Sequence, residues 1–134
     1  MSEIINPQDA ELEEIILGSC LIESKAITLI ADILRPEAFY NEKNLEIYAT
    51  LQSMYRNGQK IDIITVKEEL ARRGKLEFIG GPYTLAHISG RVASSAHLEY
   101  HARILKQKYI RRETILGFHN HRYRRYIGRR SYPP

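Results

Sequence analysis

Apolar residues recur along this 134-residue chain at the spacing of an α-helix, in stretches that end at a glycine or a proline. The clearest stretch is "NLEIYATLQSMYRNG", where five residues share one helical face: Ile47, Tyr48, Leu51, Met54 and Tyr55. The closing Asn-Gly pair stops this helix. Because other stretches repeat the pattern, the chain is predicted to be a series of helices separated by glycine and proline stops.

The first stretches run from the N-terminus to residue 40. Pro7 stands where a first helix begins, because proline suits the first helical position. A second helix is predicted from Ser24, a candidate cap, to about Leu34, since the residue before Pro36 avoids the helical conformation. The "PEAFY" segment that follows is predicted to be a short turn whose two aromatic residues fill the core.

The segment "ARRGKLEFIGGPYTL", residues 71–85, has the glycines and lysine of a phosphate-binding loop. A P-loop needs a hydroxyl residue after Gly74-Lys75 and a glycine five residues before Gly74. The chain has Leu76 and Glu69 at these positions, and the Glu69 carboxylate would repel phosphate. Gly74 is therefore predicted to be the left-handed residue that ends a helix.

Local patterns also bound the helices on either side of Gly74. Thr65 and Glu68 form the pattern of a capping box, although Ile61–Val66 by itself resembles a strand. Pro82 stands at the first position of the next short helix, which Gly90 closes. A helix is thus predicted both before and after the glycine turn.

A long helix is predicted after Ser94 or Ser95, either of which can cap it. Four apolar residues recur along it at intervals of four, three and four residues and form a narrow seam: Leu98, Ala102, Leu105 and Tyr109. Such a seam suits one partner helix, so it is the predicted self-association site. On this interpretation Leu105→Asp abolishes self-association and leaves the preceding helices folded.

Charge is divided unevenly along the chain, which has a net charge of +4. Residues 1–58 hold four basic and ten acidic residues, whereas residues 109–134 hold seven arginines and one acid. From residue 117 the segment "GFHNHRYRRYIGRRSYPP" has almost no aliphatic residues. We expect it to be a disordered basic tail, because it cannot bury enough apolar surface to fold.

The tail has three interpretations. Arginine interleaved with tyrosine can neutralise phosphates and stack on bases, so a small nucleic-acid-binding protein is the alternative function. The predicted contacts with nucleic acid are Arg111, Arg112, Arg122, Arg124, Arg125, Arg129 and Arg130. The abrupt loss of helical spacing favours instead the out-of-frame end of a truncated or frameshifted gene. A docking peptide for another protein is the third interpretation.

No residue set typical of an enzyme, cofactor or metal site is found in the sequence. His97 and His101 are one helical turn apart, but Leu98 occupies the position where H-E-x-x-H requires glutamate. A lone Cys20 in an apolar helical run indicates a reducing cytoplasm. No apolar run reaches the length of a membrane span. We therefore expect no catalytic residue, no cofactor, no metal and no membrane anchor.

Five short patterns occur in a fixed order: E-x-x-I-L-G, P-x-x-F-Y, G-x-x-I-D-x-x-T-V, G-G-x-Y, and a tyrosine separated by ten residues from R-R-E. With them, residues 7–115 resemble the N-terminal domain of the DnaB-type bacterial and phage replicative DNA helicases. The resemblance implies an all-α fold. A compact helical head would cover residues 1–92, a long helix forming the first arm of a hairpin residues 93–116, and the basic tail residues 117–134.

The resemblance also implies a function without chemistry. In this family the domain binds no nucleotide, its hairpins pair between subunits, and the dimers build a collar on the hexameric helicase ring. Primase docks on the collar. The implied partners are further copies of the chain, primase, a helicase loader or intact helicase subunits, and DNA through the tail or the parent complex. The implied location is the cytoplasmic replisome.

The chain departs from the family pattern in two ways. It has no P-loop and no room for the ATPase motor, so by itself we expect it not to be an enzyme, although the parent family is an ATP-dependent helicase. The arginine-tyrosine tail also stands where the return helix of the hairpin would begin. A truncated helicase and a standalone relative both fit these departures.

Overall fold

The structure is a computed structural model that describes residues 7–116. Its α-helices are α1 (Pro7–Ile22), α2 (Ile27–Ile30), α3 (Glu42–Arg56), α4 (Ile63–Arg72), α5 (Pro82–Gly90) and α6 (Leu98–Leu116), and a 3₁₀ helix (Pro36–Ala38) separates α2 from α3. No strand occurs between residues 7 and 116, so the all-α fold is confirmed and the strand-like run at residues 61–66 is not a strand.

Helix α1 lies at the centre of the fold and packs against α3, α5 and α6. Gly18 permits the approach of α5, because a Cβ at this position would lie 2.6 Å from the carbonyl oxygen of Ile88. The same Cβ would also lie 2.6 Å from Cγ2 of Val92. Two aromatic side chains, Phe39 and Tyr48, are fully buried and stack at 4.7 Å between ring centroids. The "PEAFY" turn thus contributes Phe39 to the core, as predicted.

The second predicted helix is shorter in the structure than expected. Residues 23–26 form a turn, with the Ala26 N–H bonded to the Glu23 carbonyl, and α2 begins only at Ile27. No side chain caps α2, so the prediction that Ser24 is its cap was wrong. Two buried side chains of α3 instead cover the carbonyl groups after α2. Tyr48 donates to the Leu34 carbonyl at 3.1 Å, and Gln52 donates to the Ala31 carbonyl at 3.0 Å.

Helix α4 begins earlier than its predicted cap. Asp62, not Thr65, is the cap: its carboxylate accepts the Thr65 N–H at 2.8 Å, and Thr65 Oγ1 accepts the Asp62 N–H at 2.9 Å. A capping box is therefore present, but shifted by one helical turn toward the N-terminus. The predicted stop is confirmed, because Gly74 has a φ of 73° and the next N–H, of Lys75, returns to the Leu70 carbonyl at 2.8 Å.

Helix α6 begins at Leu98, three residues after the second of its predicted caps. Ser94 Oγ accepts the Ala96 N–H at 3.0 Å, and the Leu98 N–H bonds to the Ser95 carbonyl at 3.1 Å. These contacts order the turn that leads into the helix. Ser94 therefore stabilises this turn rather than the first turn of α6 itself.

Candidate interaction surface

The inner face of α6 is the seam predicted from the sequence. Its four residues, Leu98, Ala102, Leu105 and Tyr109, are all buried, with exposed fractions of 0–6%. They belong to the core, because α6 packs on α1, α2 and the 3₁₀ helix. The sequence predicted one partner helix for this seam, but in the structure three elements of the chain's own head cover it. A role for the seam in self-association therefore stays a prediction. The head covers all four seam residues in the described part of the chain.

Polar contacts fasten the second half of α6 to the head. Lys108 Nζ lies 3.0 Å from Asp9 Oδ1 of α1. The half-buried guanidinium of Arg112 lies over two aromatic rings, with its Cζ 5.0 Å from the ring centroid of Tyr40 and 5.6 Å from that of Tyr109. Arg112 also donates from Nη2 to the Ala38 carbonyl, at 3.5 Å. The contact with Tyr40 and Ala38 joins α6 to the link between the 3₁₀ helix and α3.

A buried carboxylate holds the same link from the other side. Glu13 of α1 is 0% exposed, and its carboxylate accepts the backbone N–H of Tyr40 at 2.6 Å and the side-chain amide of Asn44 at 2.9 Å. A longer bond, 3.4 Å, comes from the Asn41 N–H. Burial raises the pKa of Glu13, while these donors and the positive charge of Arg112 act in the opposite direction. Glu13 therefore ties α1 to the start of α3.

Sequence reasoning missed both Glu13 and Tyr40 as interacting residues, and assigned Arg112 to nucleic acid. A hint was nevertheless present in the sequence. Glu13 opens the pattern E-x-x-I-L-G, Tyr40 ends P-x-x-F-Y, and Arg112 lies in R-R-E. Three of the five patterns behind the family resemblance thus meet at one place in the fold.

A groove runs between α6 and the residues that follow α2. Its volume is about 510 Å³, within the range typical of ligand clefts. Buried Leu34, Ala38 and Tyr109 contribute apolar surface to it. Further lining residues are charged, polar or apolar: Asp32, Ile33, Arg35, Lys106, Ile110, Glu113 and Thr114. The mixed lining carries no cluster of catalytic type.

The outer face of α6 exposes large apolar side chains. Tyr100 is 66% exposed and Ile115 is 74% exposed. Arg111, also exposed, lies eleven residues after Tyr100 and four before Ile115. Because eleven residues is close to three helical turns, these three side chains follow nearly one line along the helix. Ile110, 49% exposed, flanks this line. Within residues 7–116 the head covers the inner face of α6, whereas the outer line exposes Tyr100 and Ile115 with the polar side chains of Gln107 and Arg111 between them.

The arginines predicted to contact nucleic acid fall into different environments. Arg111 is exposed on the outer face, whereas Arg112 is half-buried and engaged with the head. The other five, Arg122, Arg124, Arg125, Arg129 and Arg130, lie outside the described residues. Nucleic-acid binding stays a prediction. Its test is whether deletion of residues 117–134 removes binding, and whether that binding weakens steeply with salt.

The remaining charged and titratable clusters are structural. The Glu69 carboxylate accepts hydrogen bonds from Arg72 and from Nε of Arg73, the latter at 2.8 Å. These bonds lower the pKa of Glu69, and the bond from Arg72 has the larger effect. His97 and His101 lie edge to face at 6.4 Å, and residues 7–116 contain no group of three or more potential metal ligands. None of the helices in this range is long and apolar enough to cross a membrane.

Taken together, the described residues define a helical interaction domain: a packed head, a long helix with an uncovered outer face, and no catalytic constellation. Residues 5–107 match the DnaB-like helicase N terminal domain family. The replicative DNA helicase DnaB of Rhodothermus marinus is 43% identical over 108 residues, which cover 81% of this chain and 12% of that protein. The replicative DNA helicase DnaC of Bacillus subtilis is 34% identical over 119 residues, covering 86% of this chain and 26% of that protein.

Solved structures give the same result. The crystal structure of the N-terminal domain of DnaB helicase from Mycobacterium tuberculosis superposes with a TM-score of 0.74 at 32% identity, covering 78% of this chain and 76% of that one. A DnaB-like replicative helicase, solved in a study of its interactions with primase, superposes with a TM-score of 0.68, covering 78% of this chain and 24% of that one. The chain belongs to the DnaB-like helicase N-terminal domain family, and it matches this domain rather than the ATPase motor of its relatives.

Proposed function

We propose that this chain is a non-catalytic docking and oligomerisation module of DNA replication, acting in the cytoplasm as part of a replicative helicase or beside one. The observation that carries the proposal is the outer face of α6, where Tyr100, Arg111 and Ile115 are exposed along one line while the inner face is buried. These side chains leave apolar and planar cationic contact area open on a helix whose other side is already packed, and a partner helix could cover it.

Self-association through the outer face is the first part of the proposal. Large exposed apolar side chains lose contact with water when a second helix covers them, and this burial drives association. Arg111, between the two apolar residues, adds a planar donor of the kind enriched at interfaces. In support, the family match covers most of the chain, and the family collar is built from paired subunits.

The test of self-association compares two isoleucine-to-aspartate variants by sedimentation equilibrium. Ile115→Asp places a charge on the outer face and should weaken self-association at least tenfold. Ile64→Asp is the matched control, because Ile64 is 62% exposed on α4, an element that packs on α3 and α5 rather than on α6. Equal dissociation constants for the two variants would exclude the outer face as the contact.

Docking of primase or a helicase loader is the second part. The observation in support is that one structural relative was solved in a study of its interactions with primase. The test is a titration of the chain with primase and with loader from the same organism, followed by fluorescence anisotropy. We expect saturable binding of at least one of them. A chain that binds neither, while self-associating normally, would limit the function to oligomerisation.

The relation to a helicase motor has a direct test in the gene. The chain spans 12% and 26% of the two curated relatives described above, so a motor encoded downstream is expected for a helicase front portion. Translation of the DNA beyond codon 134 in all three frames would reveal the P-loop of such a motor. Its presence assigns the module to a helicase, and its absence assigns it to a standalone adaptor.

A further inference from the structure

Three elements meet at residues 38–41, the link between the 3₁₀ helix and α3. From α1, Glu13 accepts the backbone N–H groups of Tyr40 and Asn41. From α6, Arg112 covers the ring of Tyr40 and donates to the Ala38 carbonyl. The link is therefore held between a buried carboxylate and a half-buried guanidinium that come from opposite ends of the chain.

The two charged groups depend on each other. Glu13 is 0% exposed, so its carboxylate has no water and relies on protein donors and on nearby positive charge. Arg112 supplies that charge across the ring of Tyr40. Because Arg112 is half-buried, its charge assists Glu13 less than the hydrogen bonds from Asn44, Tyr40 and Asn41 do. A change at Arg112 is therefore felt at the link and not only on the surface of α6.

The two halves of α6 are attached differently. Leu98, Ala102 and Leu105 anchor the first half by apolar burial. The second half contributes Tyr109 from the seam and the buried side chain of Glu113, together with the polar contacts of Lys108 and Arg112. A segment held by few apolar contacts opens at lower free energy than the core of the domain. The head keeps its own core in α1–α5, where α1 crosses α5 at Gly18.

We infer that Arg112 is a latch: its stacking on Tyr40, opposite Glu13, fixes residues 106–116 on the head, and release of the latch frees this half of α6 while the head stays folded. The latch sets the direction in which the chain leaves the head. It also sets the position of Ile115 on the outer face, so as a regulatory device it rests on the proposed function. Whether residues 106–116 are held by Arg112 can be measured without any partner.

The experiment is amide hydrogen exchange on the complete 134-residue chain, comparing substitutions at two arginines of α6, Arg112 and Arg103. Arg112→Leu should accelerate exchange in residues 106–116 by about tenfold, the effect expected from loss of a half-buried cation–π contact. Exchange in α1 and α3 should change far less. Arg112→Lys keeps the charge but not the planar stack, so its effect should be intermediate. Arg103→Leu is the matched control, because Arg103 is an exposed arginine of α6 whose salt bridge to Glu99 lies within the same helix, and it should leave exchange in residues 106–116 unchanged.

Two results would overturn the latch. Unchanged exchange in residues 106–116 of Arg112→Leu would show that the guanidinium does not hold this segment. Equal acceleration in α1, α3 and α6 would make Arg112 a contributor to overall stability only. If Arg112→Leu does not fold, Tyr40→Leu removes the opposite member of the stack and should give the same segment-specific acceleration. A chain that proves monomeric would refute the proposed self-association and leave this comparison intact.

Discussion

Replacement of Gly18 by alanine should destabilise the head, although alanine is the better helix former by about 1 kcal/mol. The added Cβ would lie 2.6 Å from both the Ile88 carbonyl oxygen and Val92 Cγ2, so α1 and α5 would have to separate by roughly 1 Å to restore ordinary contact. The carbonyl belongs to the backbone and cannot rotate away. Overpacking costs about 1–3 kcal/mol, and a clash with a backbone atom that cannot rotate away belongs in the upper part of that range, about 2–3 kcal/mol, so it exceeds the gain in propensity by about 1–2 kcal/mol.

We expect Gly18→Ala to lower the free energy of unfolding by about 1–2 kcal/mol, as measured by urea titration followed by circular dichroism. The corresponding fall in Tm is roughly 5–10 °C for a domain of this size. Gly90→Ala is the control, because its Cβ would meet nothing within 4 Å and its φ is not positive. A Gly18→Ala chain as stable as the Gly90→Ala chain would refute the close crossing of α1 and α5.

Three further substitutions or reactions test other parts of the fold. Leu105→Asp should unfold the chain rather than only prevent self-association, because Leu105 is 1% exposed. Its burial contributes about 2–3 kcal/mol, and the cost of a buried carboxylate is added to that loss. A normal melting curve would show that α6 is not packed as described. Asp62→Ala should cost about 1 kcal/mol near pH 7 through loss of the cap of α4. The backbone N–H of Thr65 lowers the pKa of Asp62, so the cap contributes stability above the ordinary pKa range of aspartate and loses it as pH falls through the lowered pKa. The melting temperatures of the wild-type and Asp62→Ala chains should therefore converge in acid. A difference that stays constant with pH would contradict the cap. Burial raises the pKa of the Cys20 thiol to about 12, so a thiol reagent at mildly alkaline pH should modify it only in denaturant. Rapid labelling of the native chain would place Cys20 outside the core.

Much of the helical order was predictable because its determinants are local. Gly74 was recognised as a helix stop, and its φ of 73° is the conformation that favours glycine. The spacing of its apolar residues predicted α3, and in the structure six of these residues are buried or half-buried. Errors at helix starts, such as Thr65 predicted where Asp62 is the cap, arose where two residues of similar capping ability lie one helical turn apart.

The candidate surfaces were less predictable because they depend on which elements meet. The sequence showed that Leu98, Ala102, Leu105 and Tyr109 form a seam, but a seam gives no information on whether its neighbour is another chain or the same one. Arg112 was predicted to contact nucleic acid together with the other arginines near the end of the chain, yet it lies against Ala38, 74 residues earlier. Glu13 had the composition of a solvated first turn, yet it is fully buried at the start of α3.

By itself, then, the amino-acid sequence determined most of the helices, the glycine stops at Gly74 and Gly90, the absence of a phosphate-loop pattern and the resemblance to a helicase N-terminal domain, whereas the predicted end of α2 before Pro36 was wrong because α2 already ends at Ile30. These properties depend on residues within about one helical turn of each other, or on short patterns in a fixed order. The tertiary structure alone decided that the inner face of α6 is covered by the head, that its outer face is left open, and that Glu13 and Arg112 meet at one link. Such contacts join residues far apart in the chain, and their free energy depends on burial and on neighbouring charge, which only the folded arrangement defines.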